Sequence, residues 1–154
     1  MTHMDLLLWR HAEAQDGQDD LARPLTEHGH RQAKRIARWL ERHAPENLRR
    51  CCSPARRARE TLEAWTQDYE LLPEAAPGAA PLAVLAAIGW PELERPTLIV
   101  GHQPTLGGIA SLVLAGQQST WSIRRGALWW FKRRQRHGHA ETVLRVVLDP
   151  ELLD

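Results

Sequence analysis

Short apolar runs alternate with amphipathic stretches along this chain, and the alternation predicts most of its elements. Asp5-Leu6-Leu7-Leu8-Trp9 is an apolar run of strand length, suited to burial on both faces of a sheet. A polar stretch from Glu13 to Arg23, with Asp16, Gly17, Asp19 and Asp20, reads as a loop. Thr26 stands where a helix cap belongs. Ala33, Ile36, Ala37, Leu40 and Ala44 then recur at i, i+3, i+4, i+7 and i+11, an amphipathic helix that ends before Pro45. Leu48 to Cys52 is a second strand. Ser53-Pro54 supplies a cap and first-turn pair for a second helix, with Ala58, Leu62 and Trp65 turned inward. Pro73 to Pro81, rich in Pro, Gly and Ala, is a connector. Leu82 to Ile88 forms a third helix, and Thr97-Leu98-Ile99-Val100 a buried strand ending at Gly101-His102. Leu106, Ile109, Ala110 and Val113 mark a fourth helix, stopped by Gly116. The pattern then changes: Ala127 to Arg133 and Thr142 to Leu148 are strand-like runs joined through Gly138, as in a hairpin. The expected fold is a three-layer α/β/α sandwich. Its central sheet is mostly parallel and ends in a C-terminal antiparallel hairpin.

Composition narrows the function. The chain has 154 residues, the length of one domain, expected over 1–154. Twenty basic and nineteen acidic side chains give a formal net charge of +1, which argues against a nucleic-acid or membrane-surface partner. No apolar run approaches the roughly 20 residues needed to span a bilayer. The stretch Met1–Leu8, with His3 and Asp5, lacks the basic and apolar regions of a signal peptide. Cys51 and Cys52 are adjacent and too few for a disulfide framework, which points to a reducing, cytoplasmic setting. Most of the seven tryptophans are expected in the core.

Three strand ends carry the chemistry: Arg10-His11-Ala12-Glu13-Ala14, Ser53-Pro54-Ala55-Arg56-Arg57-Ala58 and Gly101-His102-Gln103-Pro104. In a parallel sheet the carboxyl ends of the strands share one edge, and ligands bind there. Arg10, His11, Arg57 and His102 can therefore converge. A neutral imidazole is a competent nucleophile toward phosphorus. Arginine offers an always-charged planar fork that matches phosphate oxygens. The neighbouring arginine charges are expected to keep His11 deprotonated near neutral pH, and the helix after Ser53 to aim its N-terminus at the same anion.

These motifs resemble those of the histidine phosphatase, or phosphoglycerate-mutase-like, superfamily. Arg10-His11-Ala12-Glu13 is similar to its Arg-His-Gly-Glu signature. Arg23-Pro24-Leu25-Thr26 with Gly29, Ser53-Pro54-x-x-Arg57-Ala58 with Glu60-Thr61, and Gly101-His102-x-Pro104 follow in the family's order. The short chain looks most like the bacterial phosphohistidine phosphatases of the SixA type. The resemblance implies that His11 is the nucleophile, phosphorylated during turnover, and that Arg10, Arg57 and His102 bind the phosphoryl group, with no metal or other cofactor. The implied substrate is a phosphorylated one, such as phosphohistidine in a partner protein; the alternatives are small phosphomonoesters, or a binder without turnover.

Two positions depart from the family pattern. Ala12 replaces the usual glycine, and Gln103 stands where the acid-phosphatase branch has aspartate. Glu74 is the one rough match to the mutase branch's proton donor, and Arg23 is a further arginine that could line the site. SixA-type proteins are thought to need no dedicated acid, which suits an imidazole leaving group. Cys51 to Arg57 also spells Cys-x5-Arg, the spacing of thiol phosphatases, but Pro54 lacks the N–H such a loop needs. His28, Gly29 and His30 are placed at a helix start, and His137-Gly138-His139 at the hairpin tip with no metal role. Lys132 to Arg136 is read as a solvated hairpin end.

Overall fold

A computed structural model describes residues 3–154; Met1 and Thr2, the start of the stretch read above for a signal peptide, lie outside the described residues. The elements run β1 (His3–Arg10), α1 (Glu27–His43), β2 (Arg49–Cys52), α2 (Arg56–Glu63), β3 (Glu70–Leu71), α3 (Pro81–Ile88), β4 (Thr97–Gly101), α4 (Thr105–Ala115), β5 (Leu128–Arg136) and β6 (His139–Leu148). The six strands form one sheet in the order β3-β2-β4-β1-β5-β6. β3, β2, β4 and β1 are parallel; β5 and β6 complete the sheet as an antiparallel hairpin. The mixed sheet and its layers are those the patterning predicts.

Alternation along β1 decides what lies on each face. Leu6 and Leu8 enter a core with Val84, Leu85 and Ile88 of α3 and Leu106, Ile109 and Val113 of α4. Leu7 and Trp9 enter the opposite core with Ala33, Ile36 and Leu40 of α1 and Ala58 and Leu62 of α2. Both faces of β1 are thus covered, and Leu6 through Trp9 are fully buried. The caps follow local chemistry. Thr26 Oγ1 accepts from the Gly29 N–H at 2.9 Å, and Gly116 closes α4 at φ +80, in the left-handed region.

The structure corrects four readings. Ser53-Pro54 does not cap α2: the helix starts at Arg56, its N-cap is Ala55, and no side chain caps it, because the Ser53 hydroxyl is engaged elsewhere. Trp65 lies beyond the end of α2 and is half-buried, its indole N–H donating to Glu41 at 2.7 Å. Glu70–Leu71 forms a two-residue edge strand that no apolar run announced. Of the seven tryptophans, Trp9 and Trp130 alone are buried; the other five are half-buried over the rims of the two cores, as expected for a side chain with a wide apolar body and a polar N–H. The 132–136 run and the 137–139 tip do fall on the hairpin end.

One close approach ties α1 to the sheet edge where the three motifs meet. A Cβ on Gly29 would stand 2.0 Å from the Glu13 carbonyl oxygen, which also accepts the Thr26 N–H at 3.0 Å. A glycine in an exposed helix interior normally gains about 0.5–1 kcal/mol on replacement by alanine. Gly29→Ala should instead lose about 1–3 kcal/mol, read as a lower urea midpoint with an unchanged slope, because the obstacle is backbone.

Candidate active site

The register of the parallel strands fixes which residues meet. Arg10 pairs with Gly101, and Cys52 with Val100. The ladder continues one step beyond the strands: the His11 N–H donates to the Gly101 carbonyl and the Ser53 N–H to the Val100 carbonyl, each at 3.0 Å. His11, His102 and Ser53 therefore leave adjacent strands at one level. The two imidazole centroids are 5.1 Å apart, with planes inclined by 53°.

His11 is 8% exposed, and its Nδ1 lies 2.7 Å from the Ala12 carbonyl oxygen. A carbonyl can only accept, so Nδ1 carries the proton and Nε2 holds the free electron pair. Burial is the main cause that takes His11 down to about 4, with the charges of Arg57, Arg10 and Arg23 adding to it. The sequence reading assigned that effect to the arginines; desolvation is larger because the ring sits at the end of a fully covered strand. His102 is also driven down, to about 3, by burial first and then by His11 and Arg57. Both rings are neutral at neutral pH.

Arg57 is 4% exposed in the first turn of α2. Its Nη1 donates to the Asp20 carbonyl at 2.6 Å and its Nη2 to the Asp20 carboxylate at 3.2 Å. Arg10 projects from the end of β1 and donates from Nη1 to the Ile123 carbonyl at 2.8 Å. Arg23, the undecided loop arginine, belongs to the same group. It donates to Asp20 at 3.1 Å and to the Gln15 carbonyl at 2.7 Å, and its charge is felt by His11. Arg23 and Arg57 together hold the Asp20 carboxyl below the usual carboxylate range. His102 Nε2 lies 2.7 Å from Ser53 Oγ, which also accepts the Ala55 N–H at 3.2 Å. Arg10 Nε, Arg57 Nε and His102 Nδ1 are buried with no protein partner, as are Arg50 Nε and Arg59 Nε. Such groups are costly to leave unpaired, and three of the five crowd one cluster.

All four predicted residues thus sit together, with Arg23 beside them. Glu74 is exposed on the 3-10 turn Pro73–Ala75, and no hydrogen bond ties it to the histidines. The thiol alternative fails on burial. Cys51 is fully buried, and desolvation pushes its thiol up to about 12, so no thiolate forms at neutral pH. Ala12, where the family has glycine, is enclosed, and its N–H donates to Thr61 Oγ1 at 3.0 Å. Asp20 and Ser53 are the participants the motifs did not single out. Asp20 is one of several loop aspartates, and only the fold of the 13–23 loop selects it. Ser53 stands inside a quoted motif, but as a helix cap. Among the described residues no three His, Cys, Asp or Glu side chains group as metal ligands, and no helix is long and apolar enough to cross a membrane.

Comparison with known proteins agrees with the geometry. The profile of the histidine phosphatase superfamily (branch 1) matches residues 6–78. An uncharacterized protein of Mycobacterium tuberculosis is 37% identical over 118 residues, 72% of each chain. The phosphohistidine phosphatase SixA of Escherichia coli (strain K12) is 32% identical over 124 residues, 74% of this chain and 76% of that one. The solved structure of the protein histidine phosphatase SixA complexed with tungstate superposes with a TM-score of 0.77 at 25% identity, covering 96% of this chain and 97% of the other. With its motifs in family order, its sheet in family form and these relatives over most of its length, the chain belongs to the histidine phosphatase superfamily and is a phosphatase.

Proposed function

We propose that the protein hydrolyses phosphohistidine in a partner protein, through a phosphohistidine intermediate on its own His11. The observation that carries the covalent route is the tautomer of His11. The Nδ1–H is committed to the Ala12 carbonyl at 2.7 Å, which leaves Nε2 as a nucleophile that burial keeps unprotonated. Nε2 attacks phosphorus as the bond to the leaving imidazole breaks, and that imidazole takes its proton from solvent. Water then attacks the phosphoryl group on His11, releasing inorganic phosphate and restoring the neutral ring. Arg10 and Arg57 neutralise the equatorial oxygens in both steps, and His102 completes the cradle. An imidazole leaving group needs no dedicated acid, and among the described residues no carboxylate is hydrogen-bonded to either histidine; the SixA relatives are phosphohistidine phosphatases by name.

The test is turnover of a phosphohistidine peptide beside sugar phosphates and p-nitrophenyl phosphate, with acid-quench trapping of the phosphoenzyme. The peptide should be the best substrate. His11→Ala should fold, trap no phosphate and turn over nothing; phosphate binding without turnover by the wild-type protein would make it a binder. Arg57→Ala should lose about 10²–10³ in kcat/KM, and a loss below about tenfold would shift the clamp to another arginine. The pH profile follows from the lowered His11. The neutral ring is the active form, so kcat/KM should stay level on acidification past the ordinary histidine range and fall only as pH approaches about 4. The substrate's own ionisation must be allowed for. A limb at the ordinary value would mean that His11 is solvated.

A further inference from the structure

Beside the phosphoryl cluster lies a cavity of about 510 Å³, with Arg10 in its wall together with Glu13, Arg124, Arg125, Asp149 and Glu151. Its basic side is fixed to the nucleophile's own backbone. The Gly126 N–H donates to the His11 carbonyl, and the Arg10 N–H to the Ala127 carbonyl, both at 3.0 Å. The Trp9 indole N–H reaches the Gly126 carbonyl at 3.1 Å, and Arg10 holds the Ile123 carbonyl at 2.8 Å. Gly126 has φ +73, a conformation that admits this tight return. The turn that carries Arg124 and Arg125 cannot move without moving residues 9–11.

Of the two arginines on that turn, Arg125 is the less firmly held by the fold. The three carboxylates of the cavity are already engaged. Glu13 accepts from Thr26 Oγ1 at 2.8 Å, Asp149 accepts from the Glu151 N–H and pairs with Arg124 at 3.3 Å, and Glu151 accepts from Gln32 and pairs with His28, both at 2.8 Å. Arg125 is left with Glu13 at 4.0 Å, the outer limit of an ion pair, and its side chain is 61% exposed. Its charge reaches Arg10, whose guanidinium it disfavours together with burial. Two like charges held near each other by a rigid turn destabilise the empty protein. An anion placed between them reverses the sign of that interaction.

Resting on the phosphatase reading above, we infer that Arg125 is a specificity-determining residue. It takes a second anionic group of the substrate, a carboxylate or phosphate carried next to the phosphoryl group that Arg10 and Arg57 hold. Arg124 frames the subsite but is already paired with Asp149. The source of the anion is an acidic side chain flanking the phosphorylated residue or an acid group on a small phosphorylated molecule.

The test needs no turnover, so it is independent of the phosphohistidine assay. Dissociation constants are measured by calorimetry for phosphonoacetate and ethylphosphonate, which differ by one carboxylate. The wild-type protein should prefer phosphonoacetate by about fivefold. Arg125→Ala should bring the ratio near unity, Arg125→Lys should retain most of it, and raising NaCl from about 0.05 to about 0.5 M should erase it. Equal affinity for the two compounds, failure to bind either, or equal weakening of both in Arg125→Ala would overturn the inference. The last result would place Arg125 in the phosphoryl clamp itself. Phosphohistidine peptides with glutamate or glutamine beside the histidine then identify the source: preference for glutamate assigns a protein, preference in the phosphonate pair alone a small molecule.

Discussion

Everything at the site depends on the hydrogen bond from the His11 N–H to the Gly101 carbonyl. It extends the β1–β4 ladder one residue past the strands, so two chain segments about ninety positions apart end at the same height. Without that shared level, His11 and His102 would be two unrelated loop histidines. With it, they face each other at 5.1 Å while β2, on the other side of β4, delivers Ser53 and Arg57 to the same edge. The parallel arrangement is itself enforced by burial. β1 and β4 have apolar residues on both faces, so each must lie inside the sheet between layers of helices.

The same burial sets the chemistry. Histidine is useful as a nucleophile only with a free electron pair, and the covered strand end keeps it neutral far into acid, more through desolvation than through the arginines nearby. In the proposed mechanism the arginines then add attraction for phosphate while the ring stays unprotonated. Holding Arg10, Arg23 and Arg57 near one another is unfavourable unless something negative lies among them. Asp20 supplies part of that charge, by accepting from both Arg23 and Arg57.

How much of this was legible in the sequence follows from what each signal encodes. The elements of long apolar period, β1, α1, β4 and α4, were readable because burial dictates residue type over many positions. The two-residue β3 was not, since pairing with one edge of β2 needs no apolar pattern. Helix α2 was placed correctly but begun too early, because Ser53 has the composition of a cap while its hydroxyl serves His102. The four residues of the cluster could be named because each occupies a strand or helix end in a spaced motif. Asp20 could not, since its role arises from how an irregular loop folds back over α2. The half-buried tryptophans show the converse limit: an aromatic on the inward side of an element is not thereby enclosed.

A phosphatase centred on a ring nitrogen differs in one respect from one centred on sulfur. The two thiols of this chain lie at the end of β2, fully enclosed and protonated, while the proposed nucleophile, two strands away, has no sulfur to lose. Peroxide, which silences a thiolate enzyme by converting it to a sulfenic acid, meets no such group at this strand edge. With His11 as the proposed nucleophile and Cys51 and Cys52 buried, such a site would be indifferent to the oxidants that govern its thiol-based counterparts.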